Sequence, residues 1–161
     1  MSKRRIISEI AFVAVIILTL SFIFSRSVKT KEQSSAESDA VGEVLEEIIP
    51  DEAPEKDFIL QNVRKIAHFF EFSILGAEIA AYILIFRRRL SYALLSFGAG
   101  AFFALADETI QIFSERGSSV ADVWLDFSGF FLVESLIYLV FLLVCFIRKR
   151  AKKSVGGEVD G

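Results

Sequence analysis

Four stretches of this chain, residues 6–25, 63–86, 90–113 and 127–147, are long and apolar enough, or nearly so, to cross a bilayer as helices. A spanning helix needs about 20 mostly apolar residues at 1.5 Å rise each. Hydrophobic residues make up 53 % of the 161-residue chain, and 17 of them are Phe. A soluble domain of this length has too much surface for its volume to hide so much apolar area. The expected fold is therefore all-α, a polytopic membrane protein with four transmembrane helices in a small bundle. The second and third stretches carry ionisable residues, which lower their hydropathy without disqualifying them.

Lys and Arg set the expected orientation, because they accumulate in short loops on the cytoplasmic side. The clusters are Lys3-Arg4-Arg5, Arg87-Arg88-Arg89, and Arg148-Lys149-Arg150 with Lys152 and Lys153. A first helix that starts inside puts all three on one side. Both termini are then cytoplasmic, and residues 26–62 and 114–126 lie outside. Tyr82 and Tyr92 flank the inner connection and Trp124 sits near the outer boundary, as interfacial aromatics do.

Four segments follow: a transmembrane signal anchor at 1–25, an acidic extracytoplasmic linker at 26–62, a three-helix membrane domain at 63–147, and a basic cytoplasmic tail at 148–161. The apolar core of the first segment, about 19 residues, exceeds the roughly 7–15 of a cleaved signal peptide. Within the linker, residues 41–49 have the spacing of one short amphipathic helix; the remainder reads as mobile and polar. Cys145 is the single cysteine. It forms no intramolecular disulfide and reads as a small apolar filler.

Ionisable residues inside spans are expensive, and they usually face the bundle interior and serve a function. On the second helix Arg64, His68, Glu71, Glu78 and Tyr82 fall within about 80° of arc. On the third, Asp107, Glu108 and Gln111 share one side. Gly100 and Ala104 continue that side as a surface of small residues for helix contact. Asp122, Asp126 and Gly129 form a stripe opening the fourth, where Ser119 and Asp122 have capping-box spacing. His68 lies roughly 8 Å inside its span, and Glu108 and Asp126 fall at the same level. An outward-facing polar pocket built from His68, Glu71, Asp107, Glu108, Gln111, Arg116, Asp122 and Asp126 is the expectation. The second and fourth helices also begin there, and their positive dipole ends favour anions. The plain alternative is that these residues act only as interhelical glue, about 0.6–2 kcal/mol per contact.

Two blocks carry a family resemblance. Arg64-Lys65-Ile66-Ala67-His68-Phe69-Phe70-Glu71-Phe72-Ser73-Ile74-Leu75-Gly76 resembles the first block of the VanZ-like family, a basic residue and His followed by an aromatic and Leu-Gly. Asp107-Glu108-Thr109-Ile110-Gln111, then Arg116, Asp122, Asp126 and Gly129, resembles the second. The similarity covers about residues 63–135, leaving the first span and the acidic linker outside it. It departs from the family pattern at Phe72, where Tyr is frequent, and at Val133, where a second Gly is common. Gly76 and Gly129 take helix-packing roles on this reading. The resemblance implies a multi-pass protein of the bacterial plasma membrane, and the founding member of the family is linked to low-level resistance to the glycopeptide teicoplanin.

Three classes of function remain open. The first is a binding or envelope-modifying protein, whose partner beyond the bilayer is a glycopeptide, a lipid-linked wall precursor or an anionic lipid head group. The second is an intramembrane metal-dependent hydrolase acting on an outer-leaflet lipid or peptide. The third is an ion or proton pathway through the deeper Glu78 and Glu134, which would need a homodimer. No His-Glu-x-x-His motif and no second His is present, so no cofactor and no metal is expected; His68 and Glu108 are the residues a metal would use. No nucleic-acid partner is expected.

Overall fold

The computed structural model describes residues 2–87, 89, 91–114, 117 and 119–156. Among these there is no strand. The helices are α1 (Lys3–Ser27), α2 (Lys31–Ile48), α3 (Lys56–Gln61), α4 (Val63–Tyr82, prolonged by a π-helical turn Ile83–Arg87), α5 (Ser91–Phe113) and α6 (Val120–Gly156). Four of them, α1, α4 with its π turn, α5 and α6, are long and apolar enough to cross a membrane. The fourth begins earlier than its hydropathy indicates. Ser119 caps the Asp122 amide at 3.1 Å, so helix starts at Val120 and takes in both Asp122 and Asp126.

Side-chain contacts fix the helix directions. Arg26 meets Glu71, Thr19 meets Glu78 and Glu9 meets Tyr82, so α1 runs antiparallel to α4. His68 lies beside Asp126, Gly76 beside Phe130, and Ile83 shares a cluster with Tyr138. Helices α4 and α6 are therefore parallel, with α5 returning between them in the chain. The Arg5 guanidinium donates to the Phe86 carbonyl at 3.1 Å, and Arg87 pairs with Glu9 at 2.8 Å. The first two basic clusters thus meet at one end of the bundle, opposite His68.

The core takes at least one side chain from each span: Ile23, Phe72 and Leu75, Ala104, and Phe130, none of them exposed. Lipid offers no hydrophobic drive between helices, so close packing has to supply the attraction. Two glycines supply it where α4 meets α6. A Cβ at Gly76 would stand 2.4 Å from the Phe130 carbonyl oxygen, and one at Gly129 would stand 2.3 Å from that of Phe69. Backbone lies against backbone in both directions. Gly100 on α5 plays a different part, leaving room for the Phe130 ring, and Ala104 is fully buried beside it. Outward faces of the spans carry Leu18, Phe70, Leu94, Phe102 and Ile147, all exposed apolar side chains suited to lipid.

The segment expected to be a mobile linker is mostly helix. Its helix covers Lys31–Ile48 rather than residues 41–49, and it opens with a capping box: Thr30 receives the Gln33 amide while the Gln33 side chain accepts from the Thr30 amide. Thr-x-x-Gln at that spacing is a start signal legible in sequence. Contact with the bundle adds to it, because Arg26 pairs with Glu37 at 3.5 Å and Lys29 also pairs with Glu37.

Candidate functional site

At the end of the bundle where α4 and α6 begin and α5 finishes, the helices leave a cavity of about 240 Å³. Arg64, Lys65 and His68 line it from α4, Glu108 and Gln111 from α5, and Asp122 and Asp126 from α6. These helices bring together residues spread over more than sixty positions of chain. The cause is the shared level of three polar stripes, carried by two parallel helices and one antiparallel one.

Asp107 lies behind this wall with no exposed surface. Its Oδ1 accepts from Ser27 Oγ at 2.6 Å and its Oδ2 from Gln111 Nε2 at 2.8 Å. The Gln111 amide also donates to Glu108 Oε1 at 2.9 Å and accepts from the Arg64 guanidinium. Gln111 is thus a relay that ties a cation at the cavity wall to two buried carboxylates. A glutamine has two donors and one carbonyl to share, and the amide uses both donors and the carbonyl here.

His68 faces two acids. Its Nδ1 stands 3.7 Å from Asp107 Oδ2 and 3.9 Å from Asp126 Oδ2, beyond hydrogen-bond length. Asp126 is 1 % exposed, and its Oδ2 is buried with no hydrogen-bond partner among the described residues. At the rim Lys65 Nζ pairs with Asp122 Oδ1 at 3.3 Å, while Ser119 Oγ donates to Asp122 Oδ2 at 2.8 Å. Asp122 therefore fills its capping role and closes one side of the cavity.

Of the residues singled out in sequence, His68, Glu108, Gln111, Asp122 and Asp126 line the cavity and Asp107 adjoins it. Glu71 goes elsewhere: it faces α1 and pairs with Arg26 Nε at 3.2 Å. An 80° arc on α4 is wide enough to address two neighbours, and a helical wheel does not say where each neighbour stands. Arg116 lies outside the described residues. The deeper acids have partners on adjacent helices or their own. Glu78 accepts from Thr19 at 2.9 Å; Glu134 accepts from Ser96 at 2.5 Å and Tyr138 at 3.0 Å. Sequence reasoning missed Ser27, since a lone Ser at the end of an apolar run carries no signal. It also set aside Lys65, quoted only within the family block.

A family model described as VanZ/LLP1 matches residues 12–144. The match takes in most of the first span and the acidic segment, both of which the sequence reading had left outside. No curated protein and no solved structure gives a match.

Proposed function

Since this chain belongs to the VanZ/LLP1 family, we propose that it is a bacterial envelope protein whose cavity opens to the extracytoplasmic side and holds the anionic head group of a membrane-borne molecule. The observation that carries this reading is the wall itself, where Arg64 and Lys65 line the same cavity as His68, Glu108 and Asp126. Cations at the wall attract phosphate or carboxylate. The N-termini of α4 and α6 converge at the same place and favour negative charge. Acids on the floor suit the hydroxyl, amide or ammonium groups that such head groups carry.

Size narrows the choice. A cavity of about 240 Å³ falls below the roughly 300–1,000 Å³ of clefts that enclose drug-sized ligands. A whole glycopeptide does not fit inside. The link to glycopeptide resistance then runs through a lipid head group or a lipid-linked wall precursor, the molecules of the outer leaflet that such antibiotics meet.

The test is a titration of the protein, in nanodiscs of zwitterionic lipid, with phosphatidic acid, phosphatidylglycerol and a lipid pyrophosphate. Saturable binding is expected, weakened at least about tenfold by Arg64→Gln with Lys65→Gln, the loss of one charge-assisted bond or more. Equal binding by wild type and variant, or none by either, overturns the reading. In cells, deletion is expected to lower glycopeptide resistance, and Glu108→Gln is expected not to restore it at normal abundance.

A further inference from the structure

His68, Asp107 and Asp126 come from three different spans, α4, α5 and α6, and offer one imidazole nitrogen and two carboxylate oxygens within 4.8 Å of one another. We propose that these three side chains form a binding site for a divalent transition-metal ion, zinc or manganese, at the floor of the cavity. The proposal stands on the ligand geometry and does not depend on the head-group reading.

The spacing suits a metal better than a hydrogen-bonded network. Separations of 3.7 and 3.9 Å from His68 Nδ1 are too long for hydrogen bonds. Ligands held at about 2.0–2.2 Å around a tetrahedral ion stand roughly 3.4 Å apart. A contraction of a few tenths of an ångström brings both histidine–carboxylate separations into that range.

A second, independent observation points into the same spot. The Asp126 side chain is 2 % exposed, and its Oδ2 stands buried with no hydrogen-bond partner among the described residues. A buried carboxylate oxygen is costly to leave without a donor or a cation. Among the described residues, the cations that line the cavity bond elsewhere, Arg64 to Gln111 and Lys65 to Asp122.

The surroundings resemble those of a held ligand set. Asp107 receives donors on both oxygens, from Ser27 and from Gln111, which fixes the carboxylate plane as outer-shell partners of metal ligands do. One side of the set opens on the cavity, where Glu108 or water completes the coordination, the arrangement of a metal with an open position. The donor chemistry selects the ion. One nitrogen with carboxylate oxygens and no thiolate suits zinc or manganese, whereas calcium takes six to eight oxygens.

The chain contains a single histidine, which makes the test unusually specific. Full-length protein in detergent, with any purification tag removed, is stripped with a chelator and titrated with Mn²⁺ or Zn²⁺ alone. One saturable equivalent per chain is expected. Pulsed electron paramagnetic resonance on bound Mn²⁺ is expected to show hyperfine coupling to one directly ligated imidazole nitrogen, which only His68 supplies. Asp126→Asn is expected to weaken binding about 100-fold, and Ser27→Ala, which removes a hydrogen bond that orients the Asp107 carboxylate, about tenfold. Absence of saturable binding overturns the site. So does binding without nitrogen coupling, which places the ion on the acidic surface of α2. Unchanged affinity in a folded Asp126→Asn variant overturns it too; if that variant does not fold, the wild-type nitrogen signal decides. Head-group binding by chelator-stripped protein leaves the functional reading standing without the metal, so the two fail separately.

Discussion

Ser27 and Asp107 stand eighty positions apart in the chain and are joined by a 2.6 Å hydrogen bond, hydroxyl to carboxylate, with neither residue reached by solvent. The bond makes α1 part of the site. A helix that hydropathy alone would class as an anchor supplies the donor that holds one of the buried acids in place.

Ser27→Ala is expected to lower the stability of the purified protein by about 1–3 kcal/mol, since it leaves a buried carboxylate oxygen short of a donor. Ser25→Ala is the control. Its hydroxyl returns to the Phe22 carbonyl of its own helix on an exposed face, and its loss should stay within about 0.5 kcal/mol. Thermal unfolding in detergent compares them. Equal melting temperatures would remove the energetic weight assigned to the bond.

Gly76→Ala and Gly129→Ala should each reduce the yield of monodisperse protein sharply. The added methyl meets a backbone carbonyl at 2.4 or 2.3 Å, and backbone cannot swing aside as a side-chain tip can. Overpacking of this kind costs about 1–3 kcal/mol or more. Gly98→Ala, with nothing within 4 Å of its new methyl, should behave as wild type in fluorescence size-exclusion. A normal profile for Gly129→Ala would mean that α4 and α6 do not touch as described.

Orientation in the membrane is open to direct labelling. In a Cys145→Ser background, Ser35→Cys is expected to react with an impermeant thiol reagent in intact cells, and Arg89→Cys only after lysis. Both positions are exposed, so accessibility within the protein does not confuse the result. The reverse pattern would invert the topology inferred from the basic clusters.

Acid should loosen the start of α2. The backbone amide of Glu32, then the Thr30 hydroxyl, hold its carboxyl below the ordinary 4.5, and hydrogen bonding to Lys56 does the same for Asp51 from 3.8. For a lowered carboxyl, the stabilisation is complete above the unfolded value and disappears as pH falls through the folded one. Hydrogen-exchange protection at the first turn of α2 should therefore hold at pH 6 and decline below about 4.5. Glu32→Gln should flatten that decline. A wild-type profile independent of pH would count against it.

The four spans were legible because a bilayer imposes length and apolarity together, and nothing else in a chain this short produces four such runs. The common level of His68, Glu108 and Asp126 was legible for the same reason, as depth follows from counting residues inward from a span end. Rotation about each helix was less so. Glu71 and His68 sit on one arc, yet one turns to Arg26 and the other to Asp107 and Asp126. Only the placement of α1 separates them. The extent of α2 was missed because its Ser, Asp and Gly residues are weak helix formers. The Thr30–Gln33 capping box and the Arg26–Glu37 pair lie outside any hydrophobic pattern.

The parallel pairing of α4 with α6 has a consequence for how the protein is made. Synthesis delivers Ser27, His68 and Asp107 before Asp126 exists, and the groove at Gly76 stays empty until Phe130 arrives. Through that interval the polar end of α5 has no permanent neighbour on the α6 side, and a helix in that condition is poorly matched to lipid. Biogenesis must therefore keep α5 near the insertion machinery, or at the aqueous boundary, until the last span is released. A released chain truncated before residue 120 would leave a product exposing acids to the bilayer, a natural substrate for membrane quality-control proteases.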